Sequence, residues 1–210
     1  MSALSHDHEL HNPQEPTWRE QLVMNRFGLW LFCFSELFLF LALLSARFYL
    51  WRDPDMGLIR PDLEQLPALI ATIVLLVSSW FMNRAEVAIS HGDMKNFNLG
   101  MAMTALLGTV FLLTVIFVEW GVGAADPHIR VTDGAFGAIF FGMTGIHAFH
   151  VVTGIILILI AWGNGRRGLY TKEQHWGVEA CAIYWHYVDL IWVLFYPALY
   201  LMGHAIHYVH

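Results

Sequence analysis

Charge is scarce in this 210-residue chain: 13% of its residues are Asp, Glu, Lys or Arg, against about 25% in an average soluble domain. Cysteine is nearly missing. Cys33 and Cys181 are the only two, both lie in apolar stretches, and no CxxC or Cys/His cluster surrounds them, which leaves neither a disulfide framework nor a thiolate metal site. A net charge of −6 with no block of basic residues argues against a nucleic-acid partner. The opening segment MSALSHDHELHNPQEPTWREQ lacks the basic patch, apolar run and small-residue cleavage site of a signal peptide, so residues 1–25 are expected to remain as a polar cytoplasmic tail. No repeat is evident, and no ExxH occurs in any apolar stretch, which removes the Glu-x-x-His pairs of a ferritin-like dimetal bundle.

What is abundant is apolar surface, 57% of the chain, gathered into five windows near residues 27–50, 67–90, 97–121, 136–162 and 178–202. A segment of about 20 apolar residues crosses a hydrocarbon core about 30 Å thick. These windows are too long for barrel strands, and in lipid each must satisfy its own backbone. The expectation is therefore an all-α polytopic membrane protein, a five-helix bundle over 26–204 followed by a short periplasmic C-terminus, 205–210. Pro67 suits a first helical turn, and Pro197 should kink the fifth span near its end. Lys and Arg are enriched on the cytoplasmic side of membranes. An inside N-terminus puts Arg19, Arg26, Arg84, Lys95, Arg166, Arg167 and Lys172 there, against Arg47, Arg52, Arg60 and Arg130 outside. That balance favours N-inside and C-outside.

Several polar residues interrupt the windows. Glu36 lies about ten residues into the first, roughly 15 Å deep at 1.5 Å per residue, so it should face protein or a cavity. Two readings stand: a neutral carboxyl bonded to a neighbouring helix, or a proton-linked or lipid-contacting group. In the fourth window, TGIHAFHVVTG sets His147, His150 and Gly154 on one face. The two histidines read as interhelical hydrogen-bonding groups, or as the start of a metal site. EACAIYWHYVDLIW in the fifth places Glu179, His186 and Asp189 within about 80° of one another, a polar seam for which the histidines of the fourth window are natural partners. Glu119 closes the third window beside an interfacial Trp. Thr104 and Gly108, four apart, read as packing devices.

These blocks, in this order, are similar to subunit III of the haem-copper terminal oxidases, the cytochrome c oxidase subunit III family, from about residue 24 to 203. The carriers are FGLWLFCFSELFLF, LLVSSWF, LLGTVFLLTVIFVEW, GIHAFHVVTG and HWGVEACAIYWHYVDLIWVLFYPALYL. The resemblance implies an accessory subunit with no redox centre or cofactor of its own, packed beside catalytic subunit I, with subunit II and others nearby, haem and copper in those partners, and bound structural phospholipid. It implies support of proton uptake and of turnover stability in aerobic respiration, in the cytoplasmic membrane of a bacterium. Glu36 matches the family's membrane carboxylate. His147, His150, His175, Glu179, His186 and Asp189 match further family positions. The chain departs from the seven-helix form in lacking its first two helices, in Ile116 where the family has Gln, and near Asn164, where an Arg associated with lipid head groups falls; Arg166, Arg167 and His175 are the neighbouring candidates for that contact.

Three other functions remain on the sequence alone. The equivalent subunit of a nitric oxide reductase shares the five-helix plan. A freestanding proton-coupled transporter would use Glu36 and Asp189, although no inverted repeat or broken-helix pair supports it. A metal- or haem-binding enzyme would rest on His147, His150 and His186.

Overall fold

The computed structural model describes residues 17–51, 65–122, 129–132 and 134–202. The first part of the polar tail, most of the acidic loop with Arg52 and Arg60, and the C-terminal 205–210 segment lie outside the described residues. Among the described residues, five helices are long and apolar enough to cross a membrane: α1 (Trp18–Trp51), α2 (Gln65–His91), α3 (Met94–Thr114), α4 (Gly134–Arg166) and α5 (Trp176–Tyr196). Each begins before its apolar window, because the polar turn at the membrane surface is helical as well. α1 illustrates this. Its first turn is closed by a reciprocal cap in which the Thr17 N–H donates to Glu20 (2.8 Å) and the Glu20 N–H to the Thr17 hydroxyl (3.4 Å), the capping-box arrangement. At 34 residues α1 is about 51 Å long and must project beyond the hydrocarbon.

α2 and α3 form a tight antiparallel hairpin. The chain reverses at Gly92, whose φ of +77° is natural only for glycine, and Asp93 caps α3 by accepting from the Lys95 and Asn96 N–H groups (both 3.1 Å). The Asn96 backbone N–H, with its side-chain amide, holds the Asp93 carboxyl below the usual carboxylate range. Gly100 lets the two backbones approach: a Cβ there would fall 2.8 Å from the Phe81 carbonyl oxygen and from Ala85 Cβ.

α5 stands at the centre, packing on α1, α2 and α4, while α3 packs on α2 and α4. Its inward face carries Trp185 and Trp192, both fully buried. A buried indole N–H needs an acceptor, and α2 supplies one to each: Trp185 Nε1 donates to Ser78 Oγ and Trp192 Nε1 to Thr72 Oγ1, both at 3.0 Å. Those hydroxyls in turn donate to carbonyls of their own helix, Leu75 (2.6 Å) and Ala68 (2.7 Å). Gly108 of α3 and Gly154 of α4 receive the Trp185 ring, since a Cβ would lie 2.6 Å and 2.8 Å from it. The small residue expected to bring helix backbones together at Gly154 instead makes room for a tryptophan.

Two helices end in π turns. α3 continues as Val115–Glu119 and α5 as Pro197–Leu201, so Pro197, which has no N–H to give, begins a widened turn. α1 buries only a narrow seam, with Cys33, Phe40 and Arg47 seven residues apart, the spacing of a coiled-coil contact. Arg47 is enclosed with its guanidinium 5.0 Å above the Phe136 ring, a cation–π contact.

Gly108→Ala and Gly154→Ala are each expected to destabilise the chain by about 1–3 kcal/mol through overpacking, and the double variant by less than the sum, because both displace one ring. Gly142→Ala, where a Cβ meets nothing within 4 Å, serves as the control and should be neutral or better. Thermal unfolding midpoints in detergent check the order.

Candidate functional site

The seam on α1 decides what Glu36 meets. One turn after Cys33 and one before Phe40, it points beside the seam toward α4, where His150 Nε2 lies 3.3 Å from Glu36 Oε2; the side chains are 26% and 8% exposed. The Phe40 ring packs edge-on against the imidazole at 4.9 Å. The other ring nitrogen, Nδ1, lies 2.8 Å from the Ile146 carbonyl. A carbonyl only accepts, so Nδ1 carries a hydrogen. The Nε2–Oε2 contact can then hold a single proton, which sits either on Glu36, giving a neutral pair, or on His150, giving an ion pair. Among the described residues this contact joins the Glu36 carboxyl to a titratable partner, and it is chemically able to share a proton.

His147, one turn earlier on α4, turns elsewhere. It is fully buried, 5.8 Å from the Phe111 ring of α3 and 5.0 Å from the Trp192 ring of α5, and neither ring nitrogen has a hydrogen-bond partner among the described residues. The two histidines expected to share one face therefore serve different helices. No group of three His, Cys, Asp or Glu side chains with metal-holding geometry occurs among the described residues.

The polar seam expected on α5 likewise divides. Glu179 pairs with Arg26 of α1 in a two-pronged ion pair, 2.7 Å to Nε and 2.9 Å to Nη2, the fork geometry that favours arginine. His186 Nδ1 lies 2.5 Å from Ser79 Oγ of α2. Asp189 is buried with Ser79 alongside, and both carboxyl oxygens lie outside hydrogen-bonding geometry with any described residue. The histidines of α4 are not its partners. Glu119 accepts from the Tyr200 hydroxyl at 2.7 Å, which ties the two π turns together.

Of the basic residues considered for head groups, His175 borders a cavity. It sits at the start of α5 in a cleft of about 400 Å³ lined also by Trp18, Arg26, Tyr170, Trp176 and Glu179. Arg166 lies over the Trp162 ring at 5.9 Å and, with Arg167, is exposed away from that cleft. Sequence reasoning missed Arg26, Ser79 and Tyr200 as partners. Arg26 carried a signal, a cation on the same side of the membrane as Glu179. A serine in an apolar helix and a tyrosine near a helix end carry none.

Because both Asp189 carboxyl oxygens are buried without a hydrogen-bond partner among the described residues, replacing it by the similarly shaped leucine is expected to leave stability unchanged or raise it by about 1–3 kcal/mol, the penalty of an unsatisfied buried polar group. Chemical unfolding in detergent reads this out; a loss of that size would mean the carboxyl is satisfied.

Residues 20–204 match the family model described as cytochrome c oxidase subunit III. Among similar proteins, cytochrome c oxidase subunit 3 of Synechocystis is 31% identical over 185 residues, covering 85% of this chain and 76% of that one. The subunit 3 of Marchantia polymorpha is 34% identical, covering 85% and 68%, and that of Thermostichus vulcanus is 32% identical, covering 83% and 86%. With the match running through all five helices, from the cap of α1 to the π turn that ends α5, the chain belongs to the cytochrome c oxidase subunit III family.

Proposed function

We propose that the chain is the accessory subunit III of a haem-copper terminal oxidase in a bacterial cytoplasmic membrane, and that it has no active site of its own. The observation that carries this reading is the family match over residues 20–204. Haem and copper then reside in partner subunits, with subunit I the direct neighbour and subunit II nearby. The orientation is N-inside and C-outside, which puts Arg26, Glu179 and the His175 cleft at the cytoplasmic surface. A cleft lined by Trp18, Tyr170 and Trp176 around Arg26 and His175 suits a phospholipid head group, with aromatic rings at the interface and cations for a phosphate.

Glu36 is the residue with a distinct chemical task. A carboxyl and an imidazole at mid-bilayer can pass one proton between them with no change in the net charge of the pair, whereas losing it outright would leave a lone carboxylate in hydrocarbon, at a cost of about 2.5–3.5 kcal/mol even on the most lenient scale. The pair is a proton-holding element beside the catalytic subunit, consistent with a role in keeping proton uptake efficient over many turnovers.

The tagged chain is to be purified in mild detergent and its optical spectrum recorded before and after its partners are stripped. Haem absorbance that accompanies larger subunits and leaves with them is the expected result; a chain that keeps a Soret band alone, or purifies with no oxidase subunit, contradicts the reading. In the intact complex, Glu36→Gln and His150→Gln should assemble normally yet lower proton uptake or turnover lifetime to a similar degree. Wild-type behaviour of both would make the pair structural only.

A further inference from the structure

α5 is the central helix, yet one stripe of it faces outward. α1 packs on α4 and α5, α2 packs on α3 and α5, and α1 and α2 make at most marginal contact with each other, so the α5 surface between them is uncovered. Along that stripe, at seven-residue spacing, run Glu179, His186 and Val193, with Leu190 beside them. Leu190 and Val193 are 55% and 40% exposed. The facing edge of α2 contributes Ser79 and, seven residues on, Glu86, flanked by exposed Leu76 and Asn83. The open strip is thus apolar at its margins and polar along its centre, from the membrane surface at Glu86 and Glu179 to mid-bilayer at Ser79 and His186.

Its deepest polar group is incomplete within the chain. His186 lies ten residues into α5, about 15 Å from its start, and is half-buried. Its Nδ1 is occupied by Ser79, but no described residue hydrogen-bonds its Nε2. A polar atom at that depth needs a partner, and acyl chains offer none. The surface end carries Glu86 on α2 and Glu179 on α5, the latter paired with Arg26. Two copies of this stripe would oppose like charges, so a second copy of the chain is a poor occupant. A foreign helix that brings a hydrogen-bonding side chain at mid-bilayer and a cationic or donor side chain at the surface complements both ends.

We propose that the α2–α5 face centred on Ser79 and His186 is the docking surface of this chain for a membrane-spanning helix of a larger subunit of its complex. The inference rests on the reading of the chain as an oxidase subunit and specifies which face is buried in the assembly.

The test is photo-crosslinking in native membranes containing the full oxidase, with a photoreactive phenylalanine derivative at position 190 or, on the outer face of α4, at position 149, where Phe149 is 67% exposed. Position 190 should give an adduct with a larger oxidase subunit and position 149 should not. An adduct from 190 with lipid alone or with a second copy of this chain overturns the proposal, as does a subunit adduct from 149 with none from 190. In parallel, His186→Leu should wash off the complex several-fold more easily, up to about tenfold for one interhelical hydrogen bond in lipid. His186→Gln should restore retention, and because His186→Leu also removes the Ser79 bond, retention is compared at a temperature at which both isolated variant chains remain folded. Wild-type retention of His186→Leu also overturns it. Should the chain co-purify with the oxidase while 190 finds only lipid, the face alone is wrong; should it neither co-purify nor crosslink to any oxidase subunit from either position, the oxidase reading fails with it.

Discussion

The absence of water from the hydrocarbon core governs this molecule. A polar group there finds a partner in its own helix, in a neighbouring helix or in another subunit, or it carries a penalty that water would have removed. The hydroxyls of Ser78 and Thr72 show the first two solutions at once, donating to their own α2 carbonyls while accepting from the indoles of α5. Those relays fix Trp185 and Trp192, and the two tryptophans in turn fix the spacing of α2, α3 and α4 around α5. Gly108 and Gly154 are the corollary, because a ring of that size fits between helices only where a facing residue has no side chain.

The charged and titratable groups follow the same constraint but are dispersed. Instead of one continuous network, the bundle contains separate pairings, each joining a different pair of elements: Glu36 with His150, Glu179 with Arg26, His186 with Ser79, and Glu119 with Tyr200. Dispersal means that no single polar cluster among the described residues demands a cavity. It also isolates the Glu36–His150 contact, with the Phe40 ring packed edge-on against the imidazole.

Hydropathy made the fold legible: five apolar windows in lipid admit little besides five helices, and the blocks around Glu36, GIHAFHVVTG and the last span carried the family. Pairings were less legible. Helical spacing set Glu179, His186 and Asp189 toward one side of α5, but spacing on one helix says nothing of which neighbour each residue meets. α1 reaches both α4 and α5, so it took Glu36 to His150 and Arg26 to Glu179. The end of α5 shows a different limit. Pro197 forecast a kink near the end of the helix; there a widened turn accommodates the missing N–H, and that turn is what presents Tyr200 to Glu119.

The account depends most on a single proton shared by Glu36 and His150. Infrared difference spectroscopy on the intact complex, with the Glu36 carboxyl signal identified by its loss in Glu36→Gln, tests this directly. If the two groups share one proton, His150→Gln must shift that signal or change its intensity. A Glu36 carboxyl signal identical with and without the His150 imidazole would contradict the account.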